Sequence, residues 1–80
     1  MAMTEREKEW ADKMRRFLKA ELKRANITYA ELAQRLNEHG LEGETEASVN
    51  SKLVRGTFSA TWLMAVLAVL GIVALTLADL

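Results

Sequence analysis

Residues 27–56, ITYAELAQRLNEHGLEGETEASVNSKLVRG, decide the fold. Thr28-Tyr29-Ala30-Glu31 is a capping box: the Thr28 hydroxyl can accept from the amide of Glu31, and the Glu31 carboxylate can accept from the amide of Thr28. Ile27 and Leu32 hold the two positions of a hydrophobic staple around it, so a helix starts at Thr28 and ends before Gly40. Tyr29, Leu32, Ala33 and Leu36 share its buried face, with Glu31, Gln34, Arg35 and Glu38 outward. Residues 39–44 contain two of the four glycines and no periodicity, which makes them a loop. Thr45 then offers an N-cap, Glu46 stands in the first turn where the helix dipole favours an anion, and Gly56 stops a helix over 45–55. At about 100 degrees per residue, Val49 and Leu53 lie together while Ser48, Ser51, Lys52 and Arg55 form the opposite stripe. Asn50 falls on the flank of the apolar side, where a buried amide would satisfy a neighbouring backbone group.

On the N-terminal side of this stretch, Trp10, Met14, Phe17, Leu18 and Leu22 form one stripe of a 3.6-residue period, giving an amphipathic helix over 4–25. Met1 and Met3 precede it as a fraying end. Its opposite side carries Lys8, Arg15, Lys19 and Lys23, and the pairs Asp12–Arg16 and Glu9–Lys13 stand in the favourable acid-before-base order, four residues apart. On the C-terminal side, Ser59 caps a segment over 59–70 that is apolar all round, closed by Gly71. Residues 72–80 alternate weakly and fit a short strand, an extended tail or one more helical turn. The expected architecture is an all-α bundle of four helices in one domain, residues 1–80.

Eighty residues with an apolar half can fill one small core, and 11 basic against 11 acidic residues leave no net charge to force disorder. With no cysteine and a single histidine, His39, neither a disulfide framework nor a metal site is expected, and no cofactor is implied. The charge is segregated: residues 1–26 carry eight basic and five acidic groups, and residues 27–47 one and five. Partners are therefore read from local patches. The first 26 residues are charged throughout and show no apolar signal region, so the expected location is cytoplasmic.

Thr57 to Ala78 is a run of 22 residues without a charge, and a membrane span needs roughly 20. A span would put Lys52 and Arg55 on its flank and Trp62 at an interface. The favoured alternative is a central core helix of about twelve residues, because three amphipathic helices need a common apolar partner. An all-round apolar helix also asks for cover on a second side, which points to a homodimer with Trp62, Val66 and Val69 at its interface.

No Gly-rich phosphate loop, nucleophile elbow or flanked carboxylate pair is present, so no enzyme is expected. A capped helix followed by one presenting short hydroxyls and two cations suits DNA: small side chains enter a major groove about 12 Å wide, and Lys and Arg reach guanine edges or phosphates. ITYAELAQRL, ASVNSKLVRG and SATWLMAVLAVLGI resemble the Cro/cI-type, lambda-repressor-like helix-turn-helix domains. Leu32-Ala33 stand for their leucine-alanine pair, Val49 for the anchor of the recognition helix, Gly56 for its end and Leu70-Gly71-Ile72 for the signature closing the next helix. More closely, residues 17–72, above all Arg55-Gly56-Thr57-Phe58-Ser59-Ala60, look like a family of small bacterial domains of unknown function built on that plan.

That resemblance implies a helix-turn-helix fold and brings no established activity. The residues add the expectation of a transcriptional regulator binding duplex DNA, with Ser48, Ser51, Lys52 and Arg55 at base edges and nearby phosphates. Arg35, Thr28, Thr57 and Ser59 would hold the DNA backbone. The alternative is a helical protein-interaction module, self-associating or docking a partner. Its apolar fourth helix or tail would dock the partner. The sequence departs from the repressor pattern in the nine-residue connection from Asn37 to Thr45, longer than the three or four residues such a motif uses and holding Glu38, Glu42 and Glu44, which repel phosphates: either the loop folds away from the groove or the domain keeps the fold without DNA binding.

Overall fold

The computed structural model describes residues 3–80, so Met1 of the expected fraying end lies outside it. Four α-helices follow in order, α1 (Glu5–Ala25), α2 (Tyr29–Glu38), α3 (Glu46–Arg55) and α4 (Ala60–Leu70), with a 3₁₀ turn at Leu77–Asp79 and no strand among the described residues. Each helix begins where a hydroxyl can accept from the amide three residues on: Thr4 from Glu7, Thr28 from Glu31, Thr45 from Ser48 and Ser59 from Trp62. The capping box closes as expected, Glu31 N donating to Thr28 Oγ1 at 3.1 Å and Thr28 N to Glu31 Oε1 at 3.2 Å. That backbone hydrogen bond, with the Thr28 side chain and Arg35 behind it, holds the Glu31 carboxyl below its usual range. Replacing Thr28 by Ala removes the acceptor at one helix start, and a urea titration should show about 1 kcal/mol less stability.

The core joins all four helices. Leu18 and Leu22 of α1, Leu32, Ala33 and Leu36 of α2, Val49 and Leu53 of α3, and Trp62 and Val66 of α4 form one buried cluster. α3 packs on α2 and α1, and α4 packs on the same two. Each of the five leucines buried this way contributes about 1.5–3 kcal/mol over leaving it in water, and together with Ala33, Val49, Trp62 and Val66 they fix the arrangement.

Four expectations need correcting. Trp10 is 53% exposed, and Ala11 is the buried residue at that point of α1. The reason is the end of α3: the Gly56 backbone comes so near the Ala11 backbone that only a small side chain fits between the elements. Lys13 consequently lies over the Trp10 ring, 5.0 Å from its centroid, while Asp12 pairs with Arg15 and Arg16; a Glu9–Lys13 pair does not form. Asn50 is exposed. Trp62 and Val66, expected at a dimer interface, are 2% and 0% exposed inside the chain's own core and so leave no surface for a second copy, while Val69 is half-buried beside them.

The apolar C-terminal run does not continue as one helix. Gly71 ends α4 in the left-handed region, and residues 72–76 are non-helical before the short 3₁₀ turn, where Thr76 N donates to Asp79 Oδ2 at 2.8 Å. No single helix among the described residues is long and apolar enough to cross a membrane. α3 and α4 reach the length only together, across a bend of 112°.

Candidate nucleic-acid interface

The connection between α2 and α3 is held rather than loose. Asn37, in the last turn of α2, donates from Nδ2 to the Glu44 carbonyl and accepts on Oδ1 from the Glu44 amide, both at 2.9 Å. Leu41 donates its amide to the Leu36 carbonyl and packs against the core. This two-point clamp turns the Glu44 side chain inward, leaving it 9% exposed. There the carboxylate accepts from Lys52 Nζ at 2.6 Å, Trp62 Nε1 at 3.0 Å and Ser48 Oγ at 3.2 Å. Burial pushes the Glu44 carboxyl up, but the hydrogen bonds from Lys52 and Trp62, the Lys52 charge and the Ser48 hydroxyl together hold it below its usual range.

One acidic residue of the loop has thus left the surface, and it has taken part of the expected contact set with it. Lys52 has a side chain 25% exposed, bonded to Glu44 and 5.4 Å above the Trp62 ring. Ser48 completes a reciprocal cap, accepting from Thr45 N at 2.9 Å while its own amide donates to Thr45 Oγ1 at 3.1 Å. Ser48 stitches α3 to the loop, and Lys52 stitches it to the loop and to α4. The face of α3 that points to solvent is turned by about one residue from the expected stripe: Ala47, Asn50, Ser51 and Val54, spaced i, i+3, i+4, i+7, with Arg55 beside them. Val54 is 60% exposed.

Residues 10–75 match the family described as a domain of unknown function, DUF6471. The chain belongs to that family. The match runs from Trp10 through all of α2, α3 and α4 into the tail, so the whole Glu44 cluster and the exposed stripe lie within the DUF6471 domain. No curated protein and no solved structure matches the chain.

The remaining expected contacts of the DUF6471 domain sit at helix ends. Thr28 and Ser59 are exposed N-caps of α2 and α4, each already accepting the amide it caps. Thr57 is exposed in the turn that follows Gly56. Arg35 and Arg55 are exposed in the last turns of α2 and α3, and neither makes an ion pair among the described residues, whereas Arg15, Arg16, Arg24 and Lys8 on α1 all do. Among the described residues no cluster of acidic, histidine or cysteine side chains is placed to hold a metal. Ala47, Asn50 and Val54 lie outside the expected stripe because helical periodicity alone does not show that Glu44 draws Ser48 and Lys52 inward.

Proposed function

We propose that this domain binds duplex DNA in the manner of a helix-turn-helix regulator and reads it with α3. The observation that carries the reading is the solvent face of α3. A merely solvated helix surface is covered with long charged side chains, as α1 is, whereas Ala47, Asn50, Ser51 and Val54 are short, uncharged and hydrogen-bonding or methyl-bearing, with an unpaired Arg55 at their end. Short side chains let a helix sit deep in a major groove. Inward folding of Glu44 supports the same reading, because it removes one anion from the neighbourhood of that face.

A second reading, a protein-interaction module, has its own observation. Glu38, Glu42 and Glu46 remain exposed around the start of α3, and the one lysine of the helix is occupied by Glu44. Met64 on α4 and Leu77 in the tail, 69% and 76% exposed, would be the apolar points offered to a partner or to a second copy.

Fluorescence anisotropy of a labelled random duplex of about 30 base pairs separates the two. A DNA-binding face with three or four phosphate contacts loses affinity as salt rises with a log–log slope of about 3, and Arg35→Ala or Arg55→Ala each lowers that slope by about 1. These arginines are the proper probes, since Lys52→Ala would also strand the Glu44 carboxylate. Helical protein that leaves the duplex unbound at low salt would remove the DNA reading in favour of the protein partner.

A further inference from the structure

We propose that Asn50 is the specificity-determining residue of α3 and that it reads an adenine, with the methyl groups of Ala47 and Val54 against thymine methyls, so that the preferred site contains A·T pairs at its centre. The inference rests on the DNA-binding reading and deepens it. Its ground is the rotation of α3 set by the Glu44 cluster: with Ser48 and Lys52 held inward, the most outward positions pass to 47, 50, 51 and 54, and Asn50 is the only side chain among them with both a donor and an acceptor on one planar group.

The chemistry then selects among bases. The major-groove edge of adenine offers an acceptor at N7 and a donor at N6, which an asparagine amide meets in one plane. Guanine offers two acceptors, so the Asn50 carbonyl would face an oxygen or nitrogen lone pair with no proton between them. Cytosine offers only a donor there, and leaves the Asn50 NH2 without its acceptor. Ala47 and Val54, one turn before and one turn after Asn50, carry no polar atom in their side chains and can gain only from an apolar group in the groove, and thymine supplies the one methyl found there. Ser51 is indifferent, since a hydroxyl bonds to any of these edges. Arg55 closes the helix toward a phosphate or a guanine at the margin of the site.

The test is selection of bound duplexes from a randomised pool by the full chain at low and physiological salt, followed by binding of the selected duplex to Asn50→Ala and Val54→Ser. The Asn50 side chain is exposed and makes no hydrogen bond among the described residues, so its truncation leaves helicity unchanged, as circular dichroism would confirm. The expected result is a selected site with a fixed A·T pair, for which Asn50→Ala loses roughly tenfold in affinity while keeping its salt-dependent binding to the unselected pool. A fixed site made of G·C pairs, or an Asn50→Ala variant that binds the selected duplex as the parent does, overturns this assignment and leaves DNA binding standing. A pool that is not retained at low salt overturns the DNA-binding reading and this assignment with it.

Discussion

Gly56→Ala should be the most damaging single-methyl change in the molecule, lowering stability by about 3 kcal/mol or more. Two penalties meet at this residue. Its φ of 69° lies in the left-handed region, which costs an L side chain about 1–2 kcal/mol. A Cβ there would also stand 2.5 Å from the Ala11 carbonyl oxygen and 2.9 Å from its carbonyl carbon. Those are backbone atoms in the middle of α1, so no rotamer change can make room and the whole helix has to back away from α3. An 80-residue domain has about 4–12 kcal/mol in all, so the loss takes a large share of it. Gly43→Ala isolates the first penalty. At φ 82° it carries the same backbone strain, but nothing lies within 4 Å of its Cβ, and it should cost only about 1 kcal/mol. Equal midpoints for the two variants in denaturant would show that the α1–α3 approach is not tight.

The same contact shows where the sequence could be read and where it could not. Four hydroxyls before helical periods, Thr4, Thr28, Thr45 and Ser59, announce four helix starts, because capping is chemistry within three residues of chain. Gly56 and Gly71 announce two ends for a similar reason. The exchange of Trp10 for Ala11 has no such local sign: it follows from a glycine 45 positions later pressing on α1. The rotation of α3 was hidden in the same way. Ser48 and Lys52 look like surface residues until Glu44 arrives from the loop and Trp62 from α4, and the Asn37 clamp that delivers Glu44 joins the last turn of α2 to a residue seven positions on, across irregular chain. Polar patterning reads a polar residue as outward. It fails where a polar residue finds its partner inside, and here that failure falls on the face that the proposed reading assigns to DNA.

That inward partner can be tested directly. Glu44→Ala should cost about 2–3 kcal/mol at neutral pH, because it leaves the Trp62 indole N–H, in a residue only 2% exposed, without an acceptor, and the Lys52 ammonium without its counter-charge. The figure is kept below that for a fully buried ion pair because a quarter of the Lys52 side chain still reaches water. Glu44→Gln keeps an acceptor for Trp62 and loses the charge, so it should fall between, at about 1–2 kcal/mol. The pH dependence distinguishes a charged cluster from a merely well-shaped one. With its carboxyl held below the ordinary value of 4.5, folded Glu44 takes up a proton less readily than it does in the unfolded chain. Its contribution is complete above pH 4.5 and is lost as pH falls from there through the folded value. The gap between parent and Glu44→Gln in urea midpoint should therefore be constant near neutrality and narrow below pH 4.5. Asp12 and Glu31, whose carboxyls are also held low, titrate identically in both proteins and cancel from that difference. A gap that stays the same down to pH 3 would mean that Glu44 holds the loop by shape and hydrogen bonding alone, and that its charge has no part in turning Lys52 away from the α3 surface.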